Sequence, residues 1–384
     1  MSGIAVTISI VSYNSAAVLK QCIESVLGSA EGLSSEIIVV DNCSQDGSAV
    51  VVKEHFPEVR LIENIENVGF GTAHNQSFRL SQGRYFLVLN PDTVLSQDTL
   101  GAMVRFMDGN HRAGAAGCKI FWDDERHFMF PDLRLHTLRT ALLHFTPFCR
   151  LFPNSSLAQG YWRSAHRLWN ARTPLKVEGV TGGFIMVRRE AFQSAGAFDE
   201  RFFLFFEEHD LFRRIKEKGW DIYYVPETEI QHYFEESFRK SSIDVGAVYM
   251  QSAFFYYRKH YGLPGHFFIK LLLLLNRFLL SLEPALLRGK ETYREIHPEG
   301  GILKITWPLR EGAVRYLVEV SYWPTFSDRA GMYVEGEELC LRDDLIERLP
   351  NCTGFLRISP VYDGDLTGTA IALIKISRQP ESGP

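Results

Sequence analysis

The stretch Leu87-Val88-Leu89-Asn90-Pro91-Asp92-Thr93 ends a continuous apolar run and decides how the chain is interpreted. Such a run is typical of a strand buried on both faces of a sheet, and Pro91, which lacks an N–H, predicts that the strand stops there. Open α/β sheets bind ligands at the carboxyl ends of their strands, so Asn90 and Asp92 stand where a cation or a phosphate group would bind. The same residues also fit a simple turn that leads into a helix near Ser96, and both interpretations stay open at this point.

The composition describes a folded protein with a sizeable core. The 384 residues are 46% hydrophobic, 13% aromatic and 23% charged, which fits one large and one small domain or two to three average domains. The formal net charge of −5 argues against general binding of nucleic acid. The six cysteines are scattered, and the N-terminus has no cationic segment ahead of an apolar core. We therefore expect free thiols, no secretion signal and a cytoplasmic protein.

Strands and helices alternate along the chain up to Leu89. Helical spacing of apolar residues occurs over 18–27, after Asp46 and over about 72–80. Buried-strand runs are Val6–Val11, Glu36–Val40, Val59–Ile62 and Tyr85–Leu89. This β-α-β-α-β-α-β series predicts an α/β fold with a mainly parallel central sheet and helices on both faces.

Polar residues follow the predicted strands, at the edge where open α/β sheets bind ligands. They are Ser12, Tyr13, Asn14, Asp41, Asn42, Asp46, Asn67, Asn90 and Asp92. Each of them alone also fits a helix cap or a turn. The loop Asn67–Ala73 holds Gly69 and Gly71 ahead of a helix, where backbone can approach a diphosphate. No GxGxxG follows the first strand and no GxxxxGK[ST] occurs, so dinucleotide-binding Rossmann and P-loop enzymes do not fit.

Four motifs, in this order, resemble the nucleotide-binding half of family-2 glycosyltransferases of the GT-A fold, in particular their rhamnosyltransferase-like branch. The motifs are SYN (12–14), VVDNCSQDGS (39–48), NVGFGTAHN (67–75) and LVLNPDT (87–93), and the resemblance extends over roughly residues 6–240. It implies that Asp41 contacts the nucleotide base and that first-loop residues such as Tyr13 line that pocket. It also implies that the acidic motif at 90–92 contacts the ribose and a metal ion. Because Asn90 supplies no carboxylate, the metal ion would depend mainly on Asp92.

The acidic cluster Glu207-Glu208-His209-Asp210-Leu211 carries the most chemistry. Acidic residues at the start of a helix are also ordinary capping residues. However, the apolar run 202–206 ahead of them would raise the pKa of one carboxyl toward the range of a general base. The cluster resembles the family's Glu/Asp-Asp-x-Asp-Leu motif. That resemblance implies Glu208 as the base, Asp210 as a second candidate with a positioning role, and Glu207 beside them.

Two further short motifs match the resembled family. Gly182 and Gly183 form a small-residue turn, which in that family borders the donor sugar and the acceptor. His232 and Ser237 match a His-x-x-x-x-Ser pattern, which implies that the histidine completes the metal site. On general grounds, a lone histidine is more often a packed or surface residue. The stretch Phe121–Arg172, rich in arginine, histidine and aromatic residues, fits either an acceptor loop or a surface insertion.

Residues 249–282 form an apolar run of different character. Lys270 and Arg277 interrupt it, which leaves fewer than the roughly 20 clean residues that a membrane span needs. The run fits a helix in the membrane interface, with Arg258, Lys259, Lys270 and Arg277 near the headgroups. It equally fits a helix buried against the catalytic domain or a second subunit.

Short strand-like runs separated by turn residues follow the helical segment. They predict a small β-sandwich that faintly resembles a fibronectin type III module. We therefore divide the chain into a GT-A catalytic domain (1–245), a helical segment (246–297) and an accessory β domain (298–384).

The resemblance implies an inverting transferase that uses Mg²⁺ or Mn²⁺. It would move a hexose, L-rhamnose from dTDP-L-rhamnose, to a hydroxyl of a surface polysaccharide or a lipid-linked saccharide at the inner face of the cell membrane. Expected partners are the nucleotide-sugar donor, the saccharide acceptor, the membrane surface and, as an option, a second copy of the chain. An alternative is a weak or inactive saccharide-binding or nucleotide-binding protein of the same fold, which the departures from the motif at Asn90 and Glu208 favour. A sugar-nucleotide pyrophosphorylase does not fit, because VSYNSA after the first strand lacks a basic, glycine-rich loop.

Overall fold

The apolar run before Asn90 lies inside a nine-stranded sheet. Residues Tyr85–Leu89 form strand β4, and all five side chains are buried, as the run predicts. This strand pairs in parallel with β1 (Val6–Ser12), which places Ile10 opposite Leu89. Both strands therefore end at the same edge of the sheet, and the chain turns after β4 at the Asn-Pro-Asp sequence.

The computed structural model describes residues 3–130, 136–152, 155–233, 244–286, 294–297, 302–321, 329–342, 353–362, 366–367, 370 and 372–377. The chain divides into two compact units. The first consists of Met1–Ile120, Asp132–His136 and Ala171–Phe267. The second consists of Phe121–Pro131, Thr137–Asn170 and Phe268–Pro384.

The elements follow one another in a regular order along the first unit. Its other strands are β2 (Ser35–Asp41), β3 (Arg60–Glu63), β5 (Thr93–Leu95), β6 (Ala113–Phe121), β7 (Leu175–Val177), β8 (Phe184–Arg188) and β9 (Asp221–His232). The helices of the chain are α1 (Ala16–Ser29), α2 (Ser48–His55), α3 (Phe70–Leu80), α4 (Thr99–Gly109), α5 (Leu138–Phe145), α6 (Phe148–Leu151), α7 (Ser156–Trp169), α8 (Arg189–Ala195), α9 (Glu207–Glu217) and α10 (Val245–Leu286). Of these, α5 to α7 and the end of α10 lie in the second unit.

The sheet combines a parallel and an antiparallel half. Its strand order is β3-β2-β1-β4-β8-β6-β9-β5, with β7 on β9. The pairs among β1 to β4 are parallel, which confirms the predicted α/β series. Beyond β4, the pairs β4–β8, β6–β8 and β5–β9 are antiparallel. The antiparallel half was not predicted, and it brings β9 alongside the turn that follows β4.

The helices form because their apolar residues recur on one face. In α1 the buried side chains include Leu19, Cys22, Ile23 and Val26, at spacings of three and four residues. A second group of buried residues joins β4 and β8 to α8 and α9. It comprises Phe86, Val88, Ala115, Val180, Ile185, Val187, Ala191, Phe192, Ala195, Phe198, Leu211, Phe212, Ile215 and Ile222. This cluster fixes α9, the helix that carries the acidic residues, against the sheet.

The second unit contains the predicted β-rich region. Its strands are β10 (Arg294–Ile296), β11 (Ile302–Thr306), β12 (Arg315–Ser321), β13 (Arg329–Val334), β14 (Glu338–Arg342), β15 (Thr353–Tyr362), β16 (Leu366–Thr367) and β17 (Ala372–Ser377). Six of them form a sheet in the order β10-β17-β15-β12-β13, with β16 on β15, and β11 pairs with β14. A separate β-rich C-terminal region is thereby confirmed.

The stretch 121–172 is not simply a loop. It contains α5, α6 and α7, and Ser155 caps α7 by accepting a hydrogen bond of 3.2 Å from the N–H of Ala158. Ala165 and Trp169 of α7 pack against Leu317 and Val361 of the small sheet. These residues group with the C-terminal strands, whereas the division made from sequence counts them within 1–245.

Helix α10 is broken at Gly262, whose φ of 64° and ψ of −158° are not helical. The break separates Val245–Tyr261 from the apolar segment that follows. By length and composition alone, Val245–Ser281 is long and apolar enough to cross a membrane, and 17% of its most apolar window is buried. This differs from the sequence analysis, which required an uninterrupted apolar run.

Candidate active site

Three strands deliver polar residues to one edge of the sheet. Ser12, the last residue of β1, lies directly opposite Asp41, the last residue of β2. The register of β1 with β4 brings Asn90 to the same edge, one residue beyond Leu89. Parallel strands end together at one edge, which is where open α/β sheets place their ligands.

Asp41 and Ser12 are buried, yet each has a polar atom without a hydrogen-bond partner among the described residues. One carboxylate oxygen of Asp41 accepts a hydrogen bond of 3.0 Å from the N–H of Ser44. Its other oxygen, Oδ1, and the Ser12 hydroxyl make none. Buried polar atoms are nearly always paired, so these two atoms point to a ligand or a water molecule at this edge.

The first loop is held in place by its own polar side chains. Asn14 adopts the left-handed conformation, with a φ of 53°, and its Oδ1 accepts a hydrogen bond of 2.8 Å from the N–H of Gln45. Asp46 accepts hydrogen bonds from the N–H of Ala16 at 2.8 Å and from Ser48. Asn14 and Asp46 therefore fasten the loops around the half-buried Tyr13.

Asn67 and Gly69 shape the next loop. The Oδ1 atom of Asn67 accepts hydrogen bonds from Asn42 Nδ2 at 2.7 Å and from the N–H of Gly69 at 3.0 Å. Gly69 has a φ of 87°, and a Cβ atom there would lie 2.5 Å from the carbonyl oxygen of Phe203. Only glycine fits this position, so the loop can pass close to the segment before α9.

Asn42 was predicted to lie at this edge but was given no role of its own, and it directly follows Asp41 at the end of β2. Its Oδ1 accepts hydrogen bonds from Asn64 Nδ2 at 3.0 Å and from the N–H of Val68 at 3.1 Å. Together with its bond to Asn67, these contacts make Asn42 the link between β2 and the glycine loop. Its place at the carboxyl end of a buried strand was the only sequence signal.

Asp92 and His232 form a buried pair. Nε2 of His232 lies 3.1 Å from Oδ1 of Asp92 and 3.2 Å from Nδ2 of Asn90. The pairing of β5 with β9 sets this geometry, because Thr93 lies opposite His232 and the N–H of Tyr233 donates to the carbonyl of Asp92 at 3.0 Å. The structure thus joins two residues that are far apart in the sequence.

This pair fits part of a divalent-cation site. Two adjacent ligands of an octahedral Mg²⁺, each about 2.1 Å from the ion, lie about 3 Å apart, close to the Asp92–His232 separation. Asn90 adds Oδ1, a buried oxygen without a partner among the described residues. No group of three or more His, Cys, Asp or Glu side chains suited to a metal ion occurs in the described part of the chain. The remaining ligands would come from water or from phosphate oxygens of a substrate, and Ser237 lies outside the described residues.

Gly182 and Gly183 lie between this pair and the acidic cluster. A Cβ atom on Gly183 would lie 2.7 Å from Nδ1 of His232, and one on Gly182 would lie 3.7 Å from Oε1 of Glu208. The N–H of Asn90 also donates to the carbonyl of Gly183 at 3.2 Å. Glu208 and the Asp92–His232 pair therefore face adjacent residues of a single turn.

Glu208 has the acidity of a general base. It is half-buried in the first turn of α9, and its Oε2 atom makes no hydrogen bond among the described residues. Burial raises the pKa of Glu208 to about 7. Burial and the neighbouring charge of Glu208 raise the pKa of Glu207 well above its ordinary value. A carboxyl with a pKa near neutrality matches the task of removing a proton at physiological pH.

Asp210 is not suited to act as the base. Its carboxylate is fully buried and contacts Lys259 at 2.5 Å, His260 at 2.7 Å and Arg214 at 2.7 Å. Burial alone would raise the pKa of Asp210, but the His260 hydrogen bond and the charges of Arg214 and Lys259 hold it below its ordinary value. Lys259, which was expected near membrane headgroups, instead forms ion pairs inside the first unit.

Residues 7–196 match the family model described as Glycosyl transferase family 2. Among curated proteins, the chain is similar to the N-acetylglucosaminyl-diphospho-decaprenol L-rhamnosyltransferase of Mycobacterium tuberculosis, with 29% identity over 212 residues. That match covers 51% of this chain and 66% of the relative, which is just under two thirds. The chain is also similar to the rhamnosyltransferase WbbL of Escherichia coli K12, with 22% identity, covering 59% of this chain and 83% of the relative.

Solved structures include more distant neighbours. One is the crystal structure of GalNAc-T7 with UDP, GalNAc and Mn²⁺, which is 14% identical in sequence to this chain. That match covers 63% of this chain and 45% of the other, with a TM-score of 0.46.

Proposed function

We propose that the protein is an inverting sugar transferase. The premise is that residues 7–196 of this chain form a family 2 glycosyltransferase domain. The observation that carries the proposal is the approach of Asp92, His232 and Glu208 to the turn at Gly182 and Gly183. A cation-binding pair on one side of a turn and a carboxyl of raised pKa on the other are the two groups that such a transfer needs.

Each group has a defined task in this proposal. Glu208 takes the proton from the acceptor hydroxyl, and the oxygen of that hydroxyl attacks the anomeric carbon of the sugar. The bond from that carbon to the diphosphate breaks on the opposite face, which inverts the configuration. Asp92 and His232, with the Oδ1 atom of Asn90, would hold Mg²⁺ or Mn²⁺, which when bound offsets the negative charge of the departing diphosphate.

The transferred sugar would be L-rhamnose, because two similar curated proteins are named as rhamnosyltransferases, and we propose dTDP-L-rhamnose as its donor. Asp41, Ser12 and Tyr13 line the edge where the nucleoside would bind, and the unpaired oxygens of Asp41 and Ser12 support a polar ligand there. The acceptor would be a hydroxyl of a polysaccharide or a lipid-linked saccharide.

Turnover of single-site variants tests the mechanism. With a panel of nucleotide sugars and Mn²⁺, we expect transfer from dTDP-L-rhamnose, a loss of at least about 100-fold in Glu208→Gln and a comparable loss in Asp92→Ala. Turnover near wild type in both variants at saturating donor would exclude the mechanism. The alternative, a saccharide-binding protein without activity, predicts that even slow metal-dependent release of nucleoside diphosphate from the donor is absent.

We also propose that α10 rests on a membrane surface. After the break at Gly262, five large apolar side chains on one side of the helix are 58% to 62% exposed; they are Leu263, Phe267, Leu271, Leu274 and Phe278. Lys270 and Arg277 are exposed at positions that belong to the same side. An apolar stripe with cations beside it matches an anionic lipid interface.

Vesicle binding tests this contact. We expect the wild type to co-sediment with phosphatidylglycerol vesicles and Leu271→Glu to lose this binding. Lys270→Gln should bind phosphatidylglycerol vesicles more weakly than wild type, whereas its binding to neutral phosphatidylcholine vesicles should change little. Two results would contradict a surface contact. One is resistance to alkaline extraction, as expected of a spanning helix. The other is a change of oligomeric state in Leu271→Glu without any vesicle binding, as expected of an interface between two copies.

A further inference from the structure

The turn that precedes Glu208 adopts an unfavourable backbone conformation. Phe205 and Phe206 are consecutive residues with φ values of 66° and 68°. Bulky residues rarely occupy this left-handed region, and such a conformation persists only where the surrounding structure holds it. Something outside α9 must therefore hold this turn in place.

The first half of α10 makes the holding contacts. The ring of Phe206 is buried and lies 5.2 Å from the ring of Tyr249 and 5.5 Å from that of Tyr256. The Ser252 hydroxyl donates a hydrogen bond of 2.7 Å to the carbonyl of Leu204, just ahead of the turn. Three residues of α10 thus contact the segment that leads into Glu208.

The same helix also holds α9 on the other side of Glu208. Lys259 and His260 both contact Oδ1 of Asp210, at 2.5 Å and 2.7 Å, and Lys259 reaches Asp199 at 2.7 Å as well. Asp210 is fully buried, so salt screens its contacts much less than it screens exposed ion pairs. The Oε2 atom of Glu208 makes no hydrogen bond with the described residues, so the placement of the first turn of α9 has a direct effect on the position of this carboxyl.

We propose that Lys259 and His260 are positioning residues for Glu208, acting through Asp210. This proposal rests on the proposed function, in which Glu208 is the base. A misplacement of about 1 Å at a catalytic group can lower the rate by about 100-fold, so contacts that fix the first turn of α9 would be reflected in turnover. A pair that served only general stability would not act selectively on turnover.

Substitutions in the full-length protein separate the two roles. We expect Lys259→Met and His260→Leu to lower kcat by about 10- to 100-fold while the KM for dTDP-L-rhamnose and the affinity for dTDP with Mn²⁺ stay within about twofold of wild type. Lys259→Arg and His260→Gln keep a donor toward Asp210, and we expect them to recover most of kcat. Lys53→Met is a matched control, because Lys53 forms an exposed ion pair with Glu63 at 2.8 Å, and it should leave kcat unchanged.

The other outcomes have distinct meanings. If Lys259→Met and His260→Leu keep wild-type kcat, Glu208 does not depend on this pair and the inference is wrong, while the proposed function stands. If they lose dTDP affinity together with kcat, and the conservative variants do not recover it, the pair is only structural and the inference is also wrong. If the wild type transfers no sugar from any donor, the proposed function fails and this inference fails with it.

Discussion

At the scale of single residues, Glu208 determines how activity should depend on pH. Its pKa of about 7 means that it is protonated, and unable to accept a proton, below that pH. We therefore expect kcat to fall about tenfold per pH unit on the acid side of pH 7 and to level off above it. A kcat measured from pH 5 to 9 checks this; a profile without an acid limb near pH 7 would assign the base to another group.

The same carboxyl should make folding stability depend on pH. Because the pKa of Glu208 in the folded protein is raised above its ordinary value of 4.5, its stabilising contribution is complete below pH 4.5 and is lost as the pH rises through about 7. Glu208→Gln cannot ionise, so we expect it to be more stable than wild type at pH 8, by on the order of 2 kcal/mol, and similar at pH 4.5. Thermal melting at both values tests this, with Glu217→Gln as an exposed control on the same helix.

Gly183 is the residue on which the Asp92–His232 pair most directly depends. A Cβ atom there would lie 2.7 Å from the His232 ring, closer than real Cβ contacts, so Gly183→Ala must displace the histidine. We expect at least a tenfold loss of Mn²⁺ affinity, measured by calorimetry in the presence of dTDP. At Gly182 the added atom would lie at an ordinary 3.7 Å from Glu208, so Gly182→Ala should keep the Mn²⁺ affinity. Equal Mn²⁺ affinities in both variants would mean that His232 does not bind the metal ion.

Site residues were predictable where a local motif carried them. Asp41, Asn90 and Asp92 follow buried strands, and that pattern alone predicted their common edge. The partners of Asp210 were not predictable, because the packing of α9 against α10 leaves no periodic signal at Lys259 and His260. Two basic residues in an aromatic run fit a helix on a membrane surface and a helix packed inside the protein equally well. Only the contact with a buried carboxylate distinguishes these two locations.

At the scale of elements, the glycine loop before α3 is the most constrained connection. Gly69 combines a φ of 87° with a contact that leaves no room for a Cβ atom beside Phe203. We expect Gly69→Ala to lower stability by about 1–3 kcal/mol and to weaken dTDP binding, because the loop must shift. Gly28 lies inside α1 with open space around it, so Gly28→Ala should be neutral or stabilising by up to about 1 kcal/mol. Urea unfolding of both variants tests the contrast.

The elements of the parallel series were predicted within about two residues, since buried strands and amphipathic helices leave clear periods in a sequence. Two features had no such signal. The antiparallel insertion of β8 beside β4 is a choice of pairing partner, which a run of apolar residues does not encode. Helices α5 to α7 lie in a stretch rich in arginine, histidine and aromatic residues, and this composition concealed their helical spacing.

At the scale of the whole molecule, the second compact unit has its own stabilising ion pair. Glu319 and Arg357 lie opposite each other on β12 and β15, 2.6 Å apart, and Glu319 is fully buried. Arg357→Met would remove the bidentate charged partner of that buried carboxylate, and the loss of one partner of a buried pair typically destabilises by about 3–5 kcal/mol. Lys375→Met removes an exposed pair with Glu295 and should change stability by less than about 1 kcal/mol.

Hydrogen exchange followed by mass spectrometry locates the effect. We expect Arg357→Met to lose protection in peptides from β12 and β15. Unchanged protection there would mean that the pair contributes little to this unit. Sequence patterns predicted that the C-terminal part of this unit is rich in strands, but not its strands β10, β14 and β16. They also did not predict the grouping of residues 137–170 with these strands, because local periodicity does not encode contacts between distant segments.

The pairing of β5 with β9 has a consequence for the order in which the protein matures. Asn90 and His232 are 142 residues apart in the chain, and contacts of such long separation form late in folding, since the entropy of closing the loop must be overcome first. A nascent chain that has left the ribosome only as far as α9 already contains the edge formed by β1, β2 and β4, but it lacks the histidine. If the proposed function holds, a nascent chain that ends before residue 232 would lack one of the two side chains proposed to hold the cation, and it would bind the cation and the donor less tightly than the full-length chain.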